Sequence, residues 1–443
     1  MQGPSPSSSH PGSAHRLVEW LGLRRGMAGL LGMVVLVGMG EHMAERFLPL
    51  YLQEVTAGAN LRVSIGVISI GLLAFMDDML SALYSYPGGY LSDRFGARRA
   101  LLVFNLLSML GYAIVILIHT WWAVLLGAAF FISWSAISLP ATMGIIANAL
   151  PKNRRTMGVS LHSIVRRIPK TLGPVVGGAF IAGWGVATGV RLAFVAALLL
   201  AGAAIVLQQT LIEDDRQDAD AARPAAEKNP LRLFGAMDPA LRDLLASDIL
   251  IRFCERIPDA FVVVWATRRI LHPASELQFG WLSAIENITA VAVYIPVAHM
   301  ADRFGKKPFV SVTFGFFTAF PLALMFAHSP AWLVPVFVLR GLKEFGEPAR
   351  KALIMDLAPE GRKAAMFGLY YLVRDVIVSF AALGGAFLWL VSPAVNLLTA
   401  FAFGLLGTAW FVLRGRDVDL GTPGTTRPRS PDVRPGPEAR RRP

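Results

Sequence analysis

The sequence predicts an all-α integral membrane protein, with twelve transmembrane helices in two pseudo-symmetric six-helix bundles. Three observations carry this. The 443-residue chain is 54% hydrophobic and only 16% charged, with a mean hydropathy of +0.53, whereas soluble domains carry about 25% charged residues. Apolar runs of the length that crosses a bilayer, about 20 residues, recur twelve times. Short motifs in the first half return in the second at a nearly constant offset.

Taken in order, residues 1–25 are expected to form a flexible cytoplasmic N-terminus, whose first apolar run comes too late for an ordinary cleaved signal peptide. The runs are 26–52, 64–91, 98–118, 121–149, 156–183 and 187–211, then 244–269, 277–300, 307–327, 331–357, 364–391 and 394–413. With no water at that depth to satisfy the backbone, each is expected to be a helix. The only long polar interruption, 212–243, is expected to be a cytoplasmic linker between bundles at 26–211 and 244–413, and 414–443 a disordered cytoplasmic tail. Basic residues mark one side of the sheet of lipid. Arg94, Arg98 and Arg99, Lys152, Arg154 and Arg155, Arg303, Lys306 and Lys307, and Arg362 and Lys363 follow the even-numbered runs. The opposite loops "HTWW", "GWGVA", "AHSPA" and "LVSPA" carry none, although Arg62, Arg268 and Arg269 are exceptions. The positive-inside rule then puts both termini in the cytoplasm of a multi-pass plasma-membrane protein.

The halves repeat one another. "SDRFGARR" (92–99) returns as "ADRFGKKP" (301–308), with Asp93 and Asp302 separated by 209; "AERFLP" (44–49) is echoed by "CERIPD" (254–259), with Glu45 and Glu255 separated by 210; and the glycine pairs 177–178 and 384–385 are separated by 207. Duplicated six-helix halves point to a transporter built around a site at the membrane midplane.

Charged residues within the runs mark where that site lies. Each costs about 2.5–3.5 kcal/mol at the centre of a membrane helix, so they must face water, substrate or each other. Arg340, Lys343, Glu344 and Glu347 fall three and four residues apart, on one helical face, where Arg340 can meet Glu344 and Lys343 can meet Glu347. Arg252 and Arg256 align in the seventh run, as do Glu255 and Asp259; in the first, Glu41 aligns with Glu45 and His42 with Arg46. The expected cavity set is Glu41, Glu45, Arg46, Arg166, Arg252, Glu255, Arg256, Asp259, Arg340, Lys343, Glu344, Glu347, Arg374 and Asp375. Asp77, Asp78, Glu286, Arg167 and Lys170 are further interior charges, and fixed salt bridges between helices are the alternative use for any of them.

"GGYLSDRFGARRAL" (88–101) resembles the signature that members of the major facilitator superfamily carry between their second and third helices. Gly89, Leu91, Asp93, Arg94, Phe95, Gly96 and Arg98 match it; the second copy keeps Asp302, Arg303, Gly305, Lys306 and Lys307. The resemblance covers about 26–413 and implies the fold of that family, with its first, fourth, seventh and tenth helices around a central cavity. It also implies a cytoplasmic gate of Gly89, Asp93, Arg94, Gly96, Arg98, Asp302, Arg303, Gly305 and Asp356, in which Asp93 docks near 363 and Asp302 near 155, each carboxylate on a helix N-terminus. Asn148 stands where a second partner carboxylate is usual. "LGPVVGG" (172–178) is similar to the tail of a fifth-helix pattern of proton-coupled antiporters, through Gly173, Pro174, Gly177 and Gly178, and helix packing explains such residues equally. "ERFLPLY" (45–51) is similar to a stretch of proton-coupled oligopeptide transporters, with His42 in place of that stretch's first glutamate.

The expected function is therefore secondary transport of a small polar or charged solute by alternating access, coupled to protons, with export favoured over uptake of an organic anion, amino acid or peptide. A receptor or scaffold that moves nothing is the remaining alternative. The expected partners are a small-molecule substrate, protons and the lipid bilayer, for a monomer that binds no nucleic acid. The net charge of +12 is scattered over loops and tail, not gathered into one patch. No cofactor, metal or enzymatic activity is expected: no nucleophile–base set, phosphate loop or metal-ligand cluster occurs, His162 and His299 are isolated, and the single Cys254 excludes an internal disulfide.

Overall fold

The computed structural model describes residues 25–59, 62–132, 134, 138, 142, 145, 162, 164–212, 234–235, 237–359 and 363–416, and among them helices and turns occur without strands. In the first half, α1 (Arg25–Glu45) and α2 (Leu48–Gly58) form one interrupted crossing, followed by α3 (Val63–Phe95), α4 (Ala97–Leu117) and α5 (Trp121–Phe131), the described start of the fourth. Helix α6 (Arg167–Leu211) holds the fifth and sixth crossings in one 45-residue element, folded back at Gly185, whose φ of 77° suits a residue without Cβ. The return is tight, since a Cβ on Gly189 would lie 2.6 Å from Ile181 Cα.

The second half repeats this order. Its first crossing is again interrupted, as α7 (Pro239–Asp259), α8 (Val262–Val264) and a π-helical turn at Trp265–Arg269. Then come α9 (Glu276–Phe304), α10 (Lys307–Met325), the interrupted pair α11 (Pro330–Leu342) and α12 (Glu347–Leu357), α13 (Lys363–Val391) and α14 (Pro393–Arg414). The starts follow local rules: Asp238 caps α7 before Pro239, Ser275 and Gln278 form a reciprocal capping box on α9, and Ser392 caps α14 before Pro393. The fold is thus the expected all-α bundle of twelve crossings.

Among the described residues, six stretches are long and apolar enough to cross a membrane by length and composition alone: Val63–Tyr84, Ala97–Leu117, Arg167–Leu211, Lys307–Met325, Met366–Val391 and Pro393–Arg414. Outside that set, the first, seventh and tenth crossings are interrupted, between Glu45 and Leu48, Asp259 and Val262, and Leu342 and Glu347. Those breaks surround the candidate site.

Among the described residues, two long seams join the halves. Helix α3 lies along α13, with Phe75 and Phe380 rings 5.3 Å apart. Helix α6 lies along α9, where a Cβ on Gly178 would sit 2.6 Å from the Glu276 carbonyl and one on Gly280 2.4 Å from that of Pro174. At the end of the bundle opposite Arg25 and Arg414, one apolar cluster spans both halves through Phe47, Tyr51, Phe261, Val263, Phe279 and Phe337. Nearer the ends of the chain the apolar packing separates. One cluster there holds only first-half residues such as Leu30, Phe104 and Ala204; another holds only second-half residues such as Leu241, Val310 and Leu353. Contacts of the described residues therefore seal the molecule at one face and divide it at the other.

Candidate functional site

A cavity enclosing ≈ 610 Å³ of empty space, part of it open to solvent, lies where the broken first and seventh crossings face each other. Arg46, Leu48 and Pro49 enter it from the break between α1 and α2, and Asp259, Ala260 and Val262 from the break between α7 and α8. Both interruptions carry proline, Pro49 at the start of α2 and Pro258 in the last turn of α7. Proline removes a backbone donor and clashes with the preceding turn, so it marks where a helix can part. The repeat seen in sequence thus becomes a pair of matched breaks at one depth.

Among the described residues, six ionisable side chains line the cavity: Glu45, Arg46, Asp77, Arg256, Asp259 and Arg340. Four of these belong to an ion-pair chain that alternates in sign. Asp78 meets Arg256 at 2.6 Å, Arg256 meets Asp259 at 3.1 Å, Asp259 meets Arg340, Arg340 meets Glu286 at 3.3 Å, and Glu286 reaches Arg46 at 4.0 Å. The four inner members sit on α7, α9 and α11 of the second half, and both ends sit on α3 and the α1–α2 break of the first. The chain is neutral and crosses between the halves twice. Side chains on the cavity remain partly solvated, with 32% exposure for Arg256, 31% for Arg46 and 24% for Asp259.

A second alternating chain runs within the second half. Lys343 meets Glu255 at 2.7 Å, Glu255 meets Arg252 at 2.7 Å, and Arg252 meets Glu347 at 3.5 Å; Glu347 meets Arg350 at 2.7 Å, Arg350 meets Asp248, and Asp248 meets Arg374 at 3.3 Å; Arg374 ends on Asp375 at 2.7 Å. The Tyr370 hydroxyl also donates to Asp248 at 3.0 Å. This chain is drier at its centre, where the side chains of Asp248 and Arg350 are 1% and 2% exposed. Cations here also lie over aromatic faces, Lys343 over Phe317 at 5.1 Å and Arg374 over Tyr371 at 4.2 Å. Opposed charges in such surroundings hold the segments that carry them, and removing one member leaves its partner buried and unpaired.

The expected cavity set therefore divides. Glu45, Arg46, Arg256, Asp259 and Arg340 line the cavity, whereas Arg252, Glu255, Lys343, Glu347, Arg374 and Asp375 form the second chain. Glu344 reaches across to Arg167 of α6 at 3.6 Å, while Glu41 is buried and Arg166 half-buried, both away from the cavity lining. The expected pairs within one helix, Arg340 with Glu344 and Lys343 with Glu347, do not form. The tenth crossing is interrupted between Leu342 and Glu347, so the stripe splits and each member takes a partner from another helix. Asp248 and Arg350 were outside the expected set. Their signal is present: Asp248 stands four residues before Arg252 and Arg350 three after Glu347, each continuing its stripe by one turn.

On the first half, His42 Nδ1 lies 2.5 Å from Glu45 Oε2. Asp77, half-buried on the cavity wall, has neither an ion pair nor a hydrogen bond among the described residues.

At the face carrying the repeated signature, Gly96 and Gly305 occupy equivalent places with φ of 85° and 88°. This left-handed turn is what the motif's glycine supplies. Arg98 is engaged with the end of α6, donating from Nε to Gln209 Oε1 at 2.9 Å. Asp356 pairs with Lys306 of the second copy. Arg94 and Arg303 are exposed and Gly89 is helical. The side chains of Asp93 and Asp302, and residues 148, 152, 154, 155 and 362, lie outside the described residues, as do 1–24, 213–233 and 417–443. The glycines near Pro174 serve close packing: a Cβ on Gly173 would lie 2.8 Å from His42 Cβ, and one on Gly177 only 1.9 Å from the Met43 carbonyl oxygen.

The sequence model described as Major Facilitator Superfamily matches residues 30–265 and 253–443. An uncharacterized MFS-type transporter, YfkF of Bacillus subtilis, is 32% identical over 124 residues, which cover 28% of this chain and 31% of that protein. The tetracycline resistance protein, class C, of Escherichia coli is 23% identical over 370 residues, 81% of this chain and 90% of that protein. Among solved structures, a peptide transporter POT in complex with sulfate superposes with a TM-score of 0.71 at 16% identity, covering 88% of this chain and 95% of that one; at that identity the likeness shows the fold.

Proposed function

Because this chain belongs to the major facilitator superfamily, and is thus a multi-pass membrane transporter rather than an enzyme, we propose that it exchanges a small polar or charged solute for protons through the cavity between its halves. The observation that supports this most is the neutral ion-pair chain joined to the first half at both ends, Asp78–Arg256 and Glu286–Arg46. Rocking of the halves opens or closes such links, and a solute seated in the cavity competes for the same charges. Asp77 stands outside the chain with no ion pair among the described residues, so a proton or a cationic group is the partner we assign to it.

Export is the favoured direction, since a tetracycline resistance protein aligns over 81% of this chain. Uptake is the second reading, favoured by the Glu45–Arg46–Phe47 stretch similar to oligopeptide transporters. The proposed molecule is a monomer in the plasma membrane, with termini and linker 212–243 cytoplasmic and bundles at 26–211 and 244–413. The test is proton movement in proteoliposomes holding a pH-sensitive dye, on adding members of a panel of organic ions. The expected result is solute-dependent proton flux in the opposite direction, lost in Asp77→Asn. Solute flux with no proton movement, and indifferent to protonophore, would overturn the coupling.

A further inference from the structure

The geometry points to a zwitterionic solute with an apolar body, its cationic group held at Asp77 and its anionic group at Arg46, an assignment that rests on the transport reading above. Charge accounting around the cavity selects these two residues. Arg256 is held by two carboxylates, Asp78 and Asp259, and Arg340 by two others, Asp259 and Glu286. Glu45 has His42 against it at 2.5 Å. Two charges of opposite sign are left under-committed. Asp77 has no ionic partner among the described residues, and Arg46 has only the 4.0 Å contact to Glu286, the longest link in the chain. A contact of that length leaves the guanidinium's paired N–H groups free for a carboxylate or phosphonate, which they match in shape.

The two poles also belong to opposite sides of the cavity. Asp77 is on α3, the helix of the α3–α13 seam, whereas Arg46 is turned toward Glu286 of α9, the helix of the α6–α9 seam. Between them the wall is apolar, through Leu48, Ile70, Leu73, Ile132, Val263 and Phe279. A solute with one charge satisfies one pole and leaves the other as it was. A zwitterion satisfies both and draws the seams together, without adding net charge to a low-dielectric site. Its cationic group takes the place that a proton would hold on Asp77, so loading and proton release become one exchange.

Two matched sets of probes test this on the full-length protein in detergent and in liposomes: phenylalanine, phenethylamine and 3-phenylpropionate, and leucine, isopentylamine and 4-methylpentanoate. Each set keeps one apolar body and changes only the charges. The expectation, from thermal shift and calorimetry, is that a zwitterion in at least one set binds about tenfold more tightly than either single-charge analogue. Asp77→Asn is expected to erase the advantage over the acid while leaving the acid's binding unchanged. Arg46→Gln is expected to erase the advantage over the amine while leaving the amine's. Retained binding of the analogue shows that each variant is folded. Equal binding within both sets, preference for a single-charge analogue, no binding by any of the six, or equal weakening of all ligands in both variants overturns the assignment. Counterflow of radiolabelled ligand separates this from the transport reading. An amine that binds best and is transported overturns the zwitterion alone, whereas a zwitterion that binds as described and never crosses overturns transport alone.

Discussion

Arg256 shows how much one residue can decide. It spans the halves to Asp78 at 2.6 Å and holds Asp259 at 3.1 Å, yet is 32% exposed to the cavity. Arg256→Gln keeps an amide donor beside the buried Asp78 and leaves Asp259 its pair with Arg340, so the bundle should stay assembled while transport falls at least tenfold in a liposome flux assay. Flux near the parent rate would remove the bridging chain from the mechanism. Asp248 presents the opposite case. Its side chain is 1% exposed and faces Arg350, Arg374 and Tyr370, so Asp248→Ala leaves two guanidinium groups buried without it. A loss of about 3–5 kcal/mol is expected, visible as a strongly lowered melting temperature in detergent; an unchanged melt would contradict a structural role. The sequence carries both residues on helical stripes, although only Arg256 was in the expected cavity set. What it withheld was the difference between them, because spacing along one helix says nothing of which neighbour supplies the counter-charge.

Interrupted helices are the main lesson at the scale of elements. The first, seventh and tenth crossings each break near their charged residues. Proline and glycine at Pro49, Pro258, Gly346 and Pro348 are the residues that make such bending legible in the sequence. The consequence was less so: the break after Leu342 sends Lys343 to Glu255 and Glu344 to Arg167, although both had seemed destined for, or beside, partners one turn away. Glycine matters elsewhere for proximity. Gly177 packs so closely on the first crossing that a Cβ would stand 1.9 Å from the Met43 carbonyl oxygen. Gly177→Ala should therefore push the fifth crossing from the first, at a cost of about 1–3 kcal/mol, read as a lowered melting temperature. Gly202, with nothing near its absent Cβ, serves as the control and should tolerate alanine.

For the whole molecule, the apolar packing of the described residues is uneven between its two faces. Among the described residues, a single cluster spans both halves at the face opposite Arg25 and Arg414, and separate clusters lie at the other. Phe47 and Phe279, 6.0 Å apart between ring centroids, belong to different halves and help make that seal. In a Cys254→Ala background, cysteines at these two positions joined by a short cleavable bifunctional thiol reagent should hold the face shut. Transport is expected to stop on cross-linking and return on cleavage. Undiminished flux with the cross-link intact would show that this face need not open.

Hydropathy, positive charge at alternate loops and an offset near 209 residues were sufficient to establish twelve helices in two related halves, because lipid leaves the backbone few other choices. The matching turns of the repeated motif, with φ of 85° at Gly96 and 88° at Gly305, came from the structure. Only the tertiary structure sorted the interior charges into a solvated chain that crosses the halves, a drier chain inside one of them, and two loose poles at Asp77 and Arg46. Pairing depends on which helices are brought within about 4 Å, and that distance is set by packing between segments far apart in the chain.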